Sequence, residues 1–349
     1  MFRRVLIASV VLLAFVAATS SASSTSISPC RRVSQPIWSP DGTQLAYYGT
    51  RWPPPTGHRS PTDILQALCT MNADGANAQP LRYTVCSERC SGFDEFAWVP
   101  SDQLLVLRDG DIFRIVPGSK ARRIARAGAV SFVTNPTGTR IATNLFYPGC
   151  LTCAGPVTIL DAQSGAVVGT VGGKKLENID PSLSPDGTKV AFERNTSNES
   201  GKAFGIWTAN ANGSNLRRLV KVGHYPLWSP TGRKIAYVAG AGYPLTLRLV
   251  SAGGGKSRAL VRNVATDFGW SPDGKFIAFE TGKDKLAVVD VATGKVRSLL
   301  QLHFAPTVAW SPDSSELVAN SVPRTQKCWS TWRVPADGST ATRISSCTS

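Results

Sequence analysis

Only three histidines occur among the 349 residues, His58, His224 and His303, and they limit the acid-base and metal chemistry open to the chain. His224 and His303, with Asp267 between them, fall just ahead of the first strands of three consecutive units of a repeat. Three such side chains facing a common space would hold a metal ion or shuttle a proton. A serine hydrolase would need a Gly-x-Ser-x-Gly turn followed by its own α/β domain, and the sequence contains neither. Asp41, Asp186, Asp273 and Asp313 recur at one place in the repeat, but inside Ser-Pro-Asp turns, where the carboxylate serves the backbone. No catalytic residue is therefore assigned, and neither a bound metal nor a cofactor is expected.

The eight cysteines are an even set, which suits complete pairing in an oxidising compartment. Cys328 and Cys347 flank the turn at 335–338 almost symmetrically, so a hairpin would set them opposite each other. Cys86 with Cys90, and Cys150 with Cys153, are close enough for local bridges, which leaves Cys30 and Cys69 as the last pair. Cys150-x-x-Cys153 also has the spacing of a redox or zinc element, but it lies in a Pro/Gly loop with no second such pair and no nearby histidine.

The elements that would position these residues follow from one recurring pattern. An aromatic or apolar residue is followed by Ser-Pro-Asp-Gly, two further residues and a short apolar run. It starts at Trp38, Leu183, Trp228 (Thr231 replacing Asp), Trp270 and Trp310 (Ser314 replacing Gly), with degenerate copies at Trp98 and Thr134. Proline presets the second position of a type I turn, aspartate suits the third, and glycine accepts the left-handed conformation that follows. Seven residues after each start lies an apolar residue: Leu45, Leu105, Ile141, Val190, Ile235, Ile277 and Leu317. A second turn later in each unit, such as 72–75 or 290–294, closes another hairpin. Periods near 40 residues with four short strands each predict an all-β chain, a β-propeller of seven four-stranded blades. A count of six is the alternative, with the unit at Thr134 in question. The aromatic first residues are expected to pack between blades.

The stretches Trp38–Tyr47, Trp228–Tyr237, Trp270–Phe279 and Leu183–Phe192 resemble the TolB-type propeller repeat, a relative of the WD repeats. The resemblance covers nearly all of the chain after its first residues and implies the fold. TolB proteins are similar in carrying an additional N-terminal α/β domain that engages the Tol machinery, whereas here the first repeat follows the leader almost directly.

Arg3, Arg4 and the apolar run from Val5 to Ala18 read as a signal peptide within 1–22, too short for a membrane span and leaving no stable anchor. Residues 23–35 form an N-terminal segment and 36–347 a single propeller domain. The net charge of +15 falls to +13 without Arg3 and Arg4. The basic residues are scattered over late strands, as at Arg122, Arg217, Arg258 and Arg297, and are expected to be solvated outer edges; no basic stripe interleaved with aromatics points to nucleic acid. Variable loops should gather on the face opposite the Ser-Pro-Asp turns, and a rigid scaffold with one variable face is suited to binding. A secreted or periplasmic monomer is therefore expected, binding a protein or an anionic envelope polymer. The contact candidates are Trp52, His58, Arg59, Tyr147, His224, Tyr225, Asp267 and His303. The alternative is a propeller lyase or lactonase working at the channel mouth.

Overall fold

The computed structural model describes residues 30, 32–51, 64–86, 95–117, 119–126, 128–146, 154–173, 177–195, 204–240, 242–301, 308–321 and 330–345. Among them are 27 strands and no α-helix. Five sheets are four-stranded, each built from four strands consecutive in sequence, and a sixth has seven strands. The seven-stranded sheet is two blades joined by the long strand Arg258–Trp270, whose first half pairs back to Leu245–Ser251 and whose second half pairs forward to Phe276–Thr281. The described residues thus make seven four-stranded antiparallel units, at 32–86, 96–126, 129–171, 178–220, 224–264, 264–301 and 308–345.

The Ser-Pro-Asp turn sets the register of every unit's first hairpin. In blade one, Gly42 N–H donates to Ser39 O at 2.9 Å, Ser39 Oγ donates to Asp41 at 2.6 Å, and Asp41 accepts from Thr43 N at 3.0 Å. The 2.6 Å Ser–Asp bond recurs at Ser184, Ser271 and Ser311. The hydrogen bonds from Ser39, Ser184 and Ser311 lead in holding Asp41, Asp186 and Asp313 below the ordinary carboxylate range. These aspartates are turn residues. Six of the turns place a left-handed residue at the same position, Gly42, Gly138, Gly187, Gly232, Gly274 and Ser314.

Blade two departs from the expected register. Its turn is one residue shorter, with Ser101 and Asp102 both left-handed, so Trp98 pairs with Leu104 and not with Leu105. In the other six blades the first motif residue pairs seven places on, as Trp38 does with Leu45. Because strand side chains alternate between faces, that one residue reverses Leu105. Leu104 packs against blade one, beside Ala46, Tyr48 and Leu68, while Leu105 joins Phe132 and Ile141 of blade three.

Each interface is apolar on both sides. Trp270 packs with Ala236 and Leu247 of the preceding blade, and its indole N–H donates to Leu227 O at 3.1 Å. Trp310 repeats this on Gly269 O, also at 3.1 Å. The same packing closes the ring: Val318 of blade seven lies with Trp38, Leu45 and Tyr47 of blade one, and Asn320 Nδ2 donates to Val33 O at 3.1 Å. Among the described residues no strand is exchanged between the first and last blades, and the contacts that close the ring are made by side chains.

Several late-strand arginines are not simply solvated edges. Arg122 donates to Gln163 O, Arg217 to Ala252 O and Gly253 O, Arg258 to Val291 O, and Arg297 to Ala336 O. In every case the acceptor is the late turn of the next blade, so part of the basic charge is structural. That late turn also bonds its own Ser-Pro-Asp turn, as in Ala73 N to Thr43 O at 2.9 Å and Val291 N to Lys275 O at 2.8 Å, which puts both turns on one face.

Cys30 and Cys69 form a disulfide, as the pairing by elimination anticipates, and so tie the segment ahead of blade one to its third strand. The expected Cys328–Cys347, Cys86–Cys90 and Cys150–Cys153 bridges involve side chains outside the described residues. The leader also lies outside them. With the bridged positions 39 apart in sequence, the double replacement Cys30→Ala/Cys69→Ala should cost about 3–4 kcal/mol in urea unfolding. Asn320→Ala leaves the buried Val33 carbonyl without its donor and should cost about 1–3 kcal/mol in the same assay.

Candidate functional site

In blades two to six a side chain reaches the channel at the first strand, from the position three before the motif's first residue. In blades one, four and five this residue precedes a proline: Gln35-Pro36, Asp180-Pro181 and Tyr225-Pro226. Proline cannot donate to the ladder, and the pairing slips there, between Ser34 and Ile37, Ile179 and Ser182, and His224 and Leu227. Gln35, Asp180 and Tyr225 take left-handed backbone, at φ of 50°, 49° and 53°. Such a conformation costs a non-glycine residue roughly 1–3 kcal/mol, and it persists only where surrounding structure imposes it. The equivalent residues of blades two, three and six are Glu95, Ser131 and Asp267.

Glu95, Ser131, Asp180, Tyr225 and Asp267 converge on one cavity of about 500 Å³, with Glu280 from the second strand of blade six. Phe132, Pro181, Pro226, Leu227, Phe268 and Phe279 form its apolar walls. The cavity lies in the half of the channel away from the Ser-Pro-Asp turns, towards the face where second strands end. Four carboxylates line it, and among the described residues no lysine or arginine does. For a chain of net charge +15 this is a local reversal of sign.

Beneath the wall, Glu193 is buried, at 1% exposure, and organises two blades. It accepts from the Tyr225 backbone N–H, faces His224 Nδ1 at 3.1 Å, and hydrogen-bonds the Asp180 carboxyl. Burial, then the charge and the hydrogen bond of Glu193, push Asp180 up to about 7, partly offset by His224. The hydrogen bond to Glu193 likewise raises His224. Glu95 accepts the Phe132 N–H at 2.5 Å, yet burial raises it; Asp267 is raised by burial, and Glu280 by burial and by the neighbouring charges of Asp284 and Asp267. The mouth therefore retains protons that free carboxyls would release, and Glu193 links Asp180 to His224 through hydrogen bonds.

Of the residues predicted from sequence, Tyr225 and Asp267 line the cavity and His224 stands behind it, bonded to Glu193. Trp52, His58, Arg59, Tyr147 and His303 lie outside the described residues. Among the described residues no three His, Cys, Asp or Glu gather closely enough to hold a metal ion. Sequence reasoning missed Glu95, Asp180, Glu193 and Glu280. Counting three residues back from each motif start would have found the first two.

No family model and no curated protein matches the sequence. Solved structures do match in fold. An oligogalacturonate lyase in complex with manganese aligns with a TM-score of 0.65 at 16% identity, over 88% of this chain and 90% of that one. The oligogalacturonate lyase of Vibrio parahaemolyticus aligns at 0.65 and 14%, over 87% and 90%. A putative TolB of Agrobacterium tumefaciens aligns at 0.50 and 17%, over 71% and 94%. The fold is the TolB-type β-propeller that the repeat implies, and identities this low speak to fold alone.

The raised Asp180 carboxyl has a consequence for stability. Its folded value lies above the ordinary 3.8, so its contribution is fully present below pH 3.8 and is lost as pH rises through about 7. His224, also raised, acts in the same direction. Asp180→Asn removes the ionisation without changing the shape. It should raise the melting temperature by about 2–4 °C at pH 8 and by clearly less near pH 5, where only part of the penalty has developed, measured by calorimetry at both values.

Proposed function

We propose that this chain is an exported, non-catalytic binding propeller that captures a partner protein on the face opposite its Ser-Pro-Asp turns, with the channel mouth as the point of recognition. The observation that carries the reading is the cavity, in which four carboxylates and a strained Tyr225 are held by four interlocked blades, with no lysine or arginine among the described lining residues. A rigid ring fixes these groups before any ligand arrives, which removes the ordering cost of binding. The carboxylates favour a protein partner over an anionic polymer, since like charges in a confined mouth repel. Export is supported by the basic, apolar leader and by the Cys30–Cys69 bridge.

A second reading, an enzyme of the propeller lyase or lactonase kind, is favoured by one feature. Asp180 retains a proton near neutrality beside Glu193 and His224, as a general acid must. Its substrates in the lyase case would be polyuronides, whose charge the mouth opposes.

Two assays separate these readings. In a cross-linking capture from cell-envelope extract, wild-type protein should retain a specific partner, and both a variant lacking 52–60 and the double variant Asp180→Asn/Asp267→Asn should recover at least about tenfold less. Equal recovery by all three would exclude this face. Formation of unsaturated product from oligogalacturonate, abolished in Asp180→Ala, would establish the enzyme reading instead.

A further inference from the structure

Glu280 is the anomaly of the channel mouth. It is only 7% exposed, it lines the cavity, and among the described residues no hydrogen bond or ion pair reaches its carboxylate. A buried carboxylate ordinarily keeps a donor or a cation, because desolvation costs several kcal/mol per ion when nothing replaces the water. Its charged neighbours, Asp267 and Asp284, are both acidic. Asp267 lines the same cavity and also has no cation beside it. Across the channel, Glu95 and Asp180 are held by neighbouring backbone or by Glu193, whereas Glu280 and Asp267 have no such partner. Blade six thus presents two acceptors, and no donor from the described residues, to a cavity half open to solvent.

We infer that the channel mouth binds an alkylammonium group, whose –NH₃⁺ head is received by Glu280 and Asp267 and whose aliphatic stem lies against Phe268, Phe279 and Leu227. This deepens, and rests on, the reading of the mouth as a recognition site. An ammonium head offers three donors on a compact charge and brings an apolar stem, which matches paired carboxylates set among aromatic and aliphatic walls. A small metal ion fits less well, because no three ligating side chains among the described residues converge. A cavity of about 500 Å³ is of the size that encloses a small organic ligand. Glu95 and Asp180, on alternate blades, offer places for a second or third ammonium on the same molecule. The chemistry is shared by two sources, a free polyamine and a lysine side chain of a polypeptide.

The test is titration calorimetry on the intact protein with four probes: spermidine, an N-acetylated and C-amidated Lys-Ala-Lys peptide, 1,4-butanediol and manganese chloride. Spermidine or the peptide should bind at one site with an affinity that falls as salt rises, and the diol should give no signal. Tighter binding of spermidine identifies a free polyamine as the source, and tighter binding of the peptide identifies a lysine side chain. Glu280→Gln and Asp267→Asn should each weaken the bound amine about tenfold or more, and Lys256→Ala, on the turn face, should not. Should Glu280→Gln fail to fold, Asp267→Asn at an open position decides the matter alone. Absence of binding by both amines, unchanged affinity in the folded variants, or stoichiometric manganese in their place would overturn the inference. Partner capture that persists without amine binding would refute this inference and leave the binding reading intact; amine binding without partner capture would do the reverse.

Discussion

Everything in this molecule depends on the burial of flat sheet faces between neighbouring blades. A four-stranded antiparallel sheet with apolar residues on both sides is not stable in water by itself. Seven such sheets in a ring give every face a partner. Leu45, Ile141, Val190, Ile235, Ile277 and Leu317, at the equivalent place in six blades, are each 0% exposed, as is Leu104 in the seventh. The Ser-Pro-Asp turn matters because it fixes which residues face which neighbour. Blade two demonstrates this, since its shorter turn gives Leu104 the contact with the preceding blade and turns Leu105, equally buried, towards the following one.

The same constraint produces the functional geometry. First strands must crowd the axis, and the pairing slips at Pro181 and Pro226 turn Asp180 and Tyr225 inward. The strain at Gln35, Asp180 and Tyr225 is sustained by blades that pack on either side. Once the backbone is held in this way, carboxylates can be set together in the mouth, although each would be less costly in open water. The electrostatic character of the chain is consequently divided. Arginines on late strands hold the carbonyls of adjacent blades at the periphery, while the axis is acidic.

Much of this was legible in the residues. The repeat announces its own turns, so the all-β class, the four strands of each unit, the shared face of the two turns and the packing role of Trp38, Trp228 and Trp270 could be read directly. The Cys30–Cys69 pairing followed by elimination. What escaped was whatever depends on a residue's neighbours in space. Arg217 and Arg258 look like edge charges until the carbonyls of the following blade are placed beside them. Glu193 and Glu280 sit at the ends of second strands, where nothing in the local sequence distinguishes an exposed glutamate from a buried one. Asp180 and Tyr225 were partly legible, because a proline two residues before the motif start announces a break in the ladder. Leu105 was misassigned because the degenerate Val99-Pro100-Ser101-Asp102 turn conceals the loss of one residue.

The closure of the ring by packing of the first blade on the last is the claim on which the cavity and its chemistry stand. Spin-label distance measurements address it directly, with nitroxides at exposed turn positions Ala76 in blade one, Lys256 in blade five and Ser339 in blade seven. A closed ring requires the Ala76–Ser339 separation to be the shorter of the two measured from Ala76, although these residues are farther apart in sequence. A longer Ala76–Ser339 distance than Ala76–Lys256 would mean an open stack of blades, with no channel and no mouth.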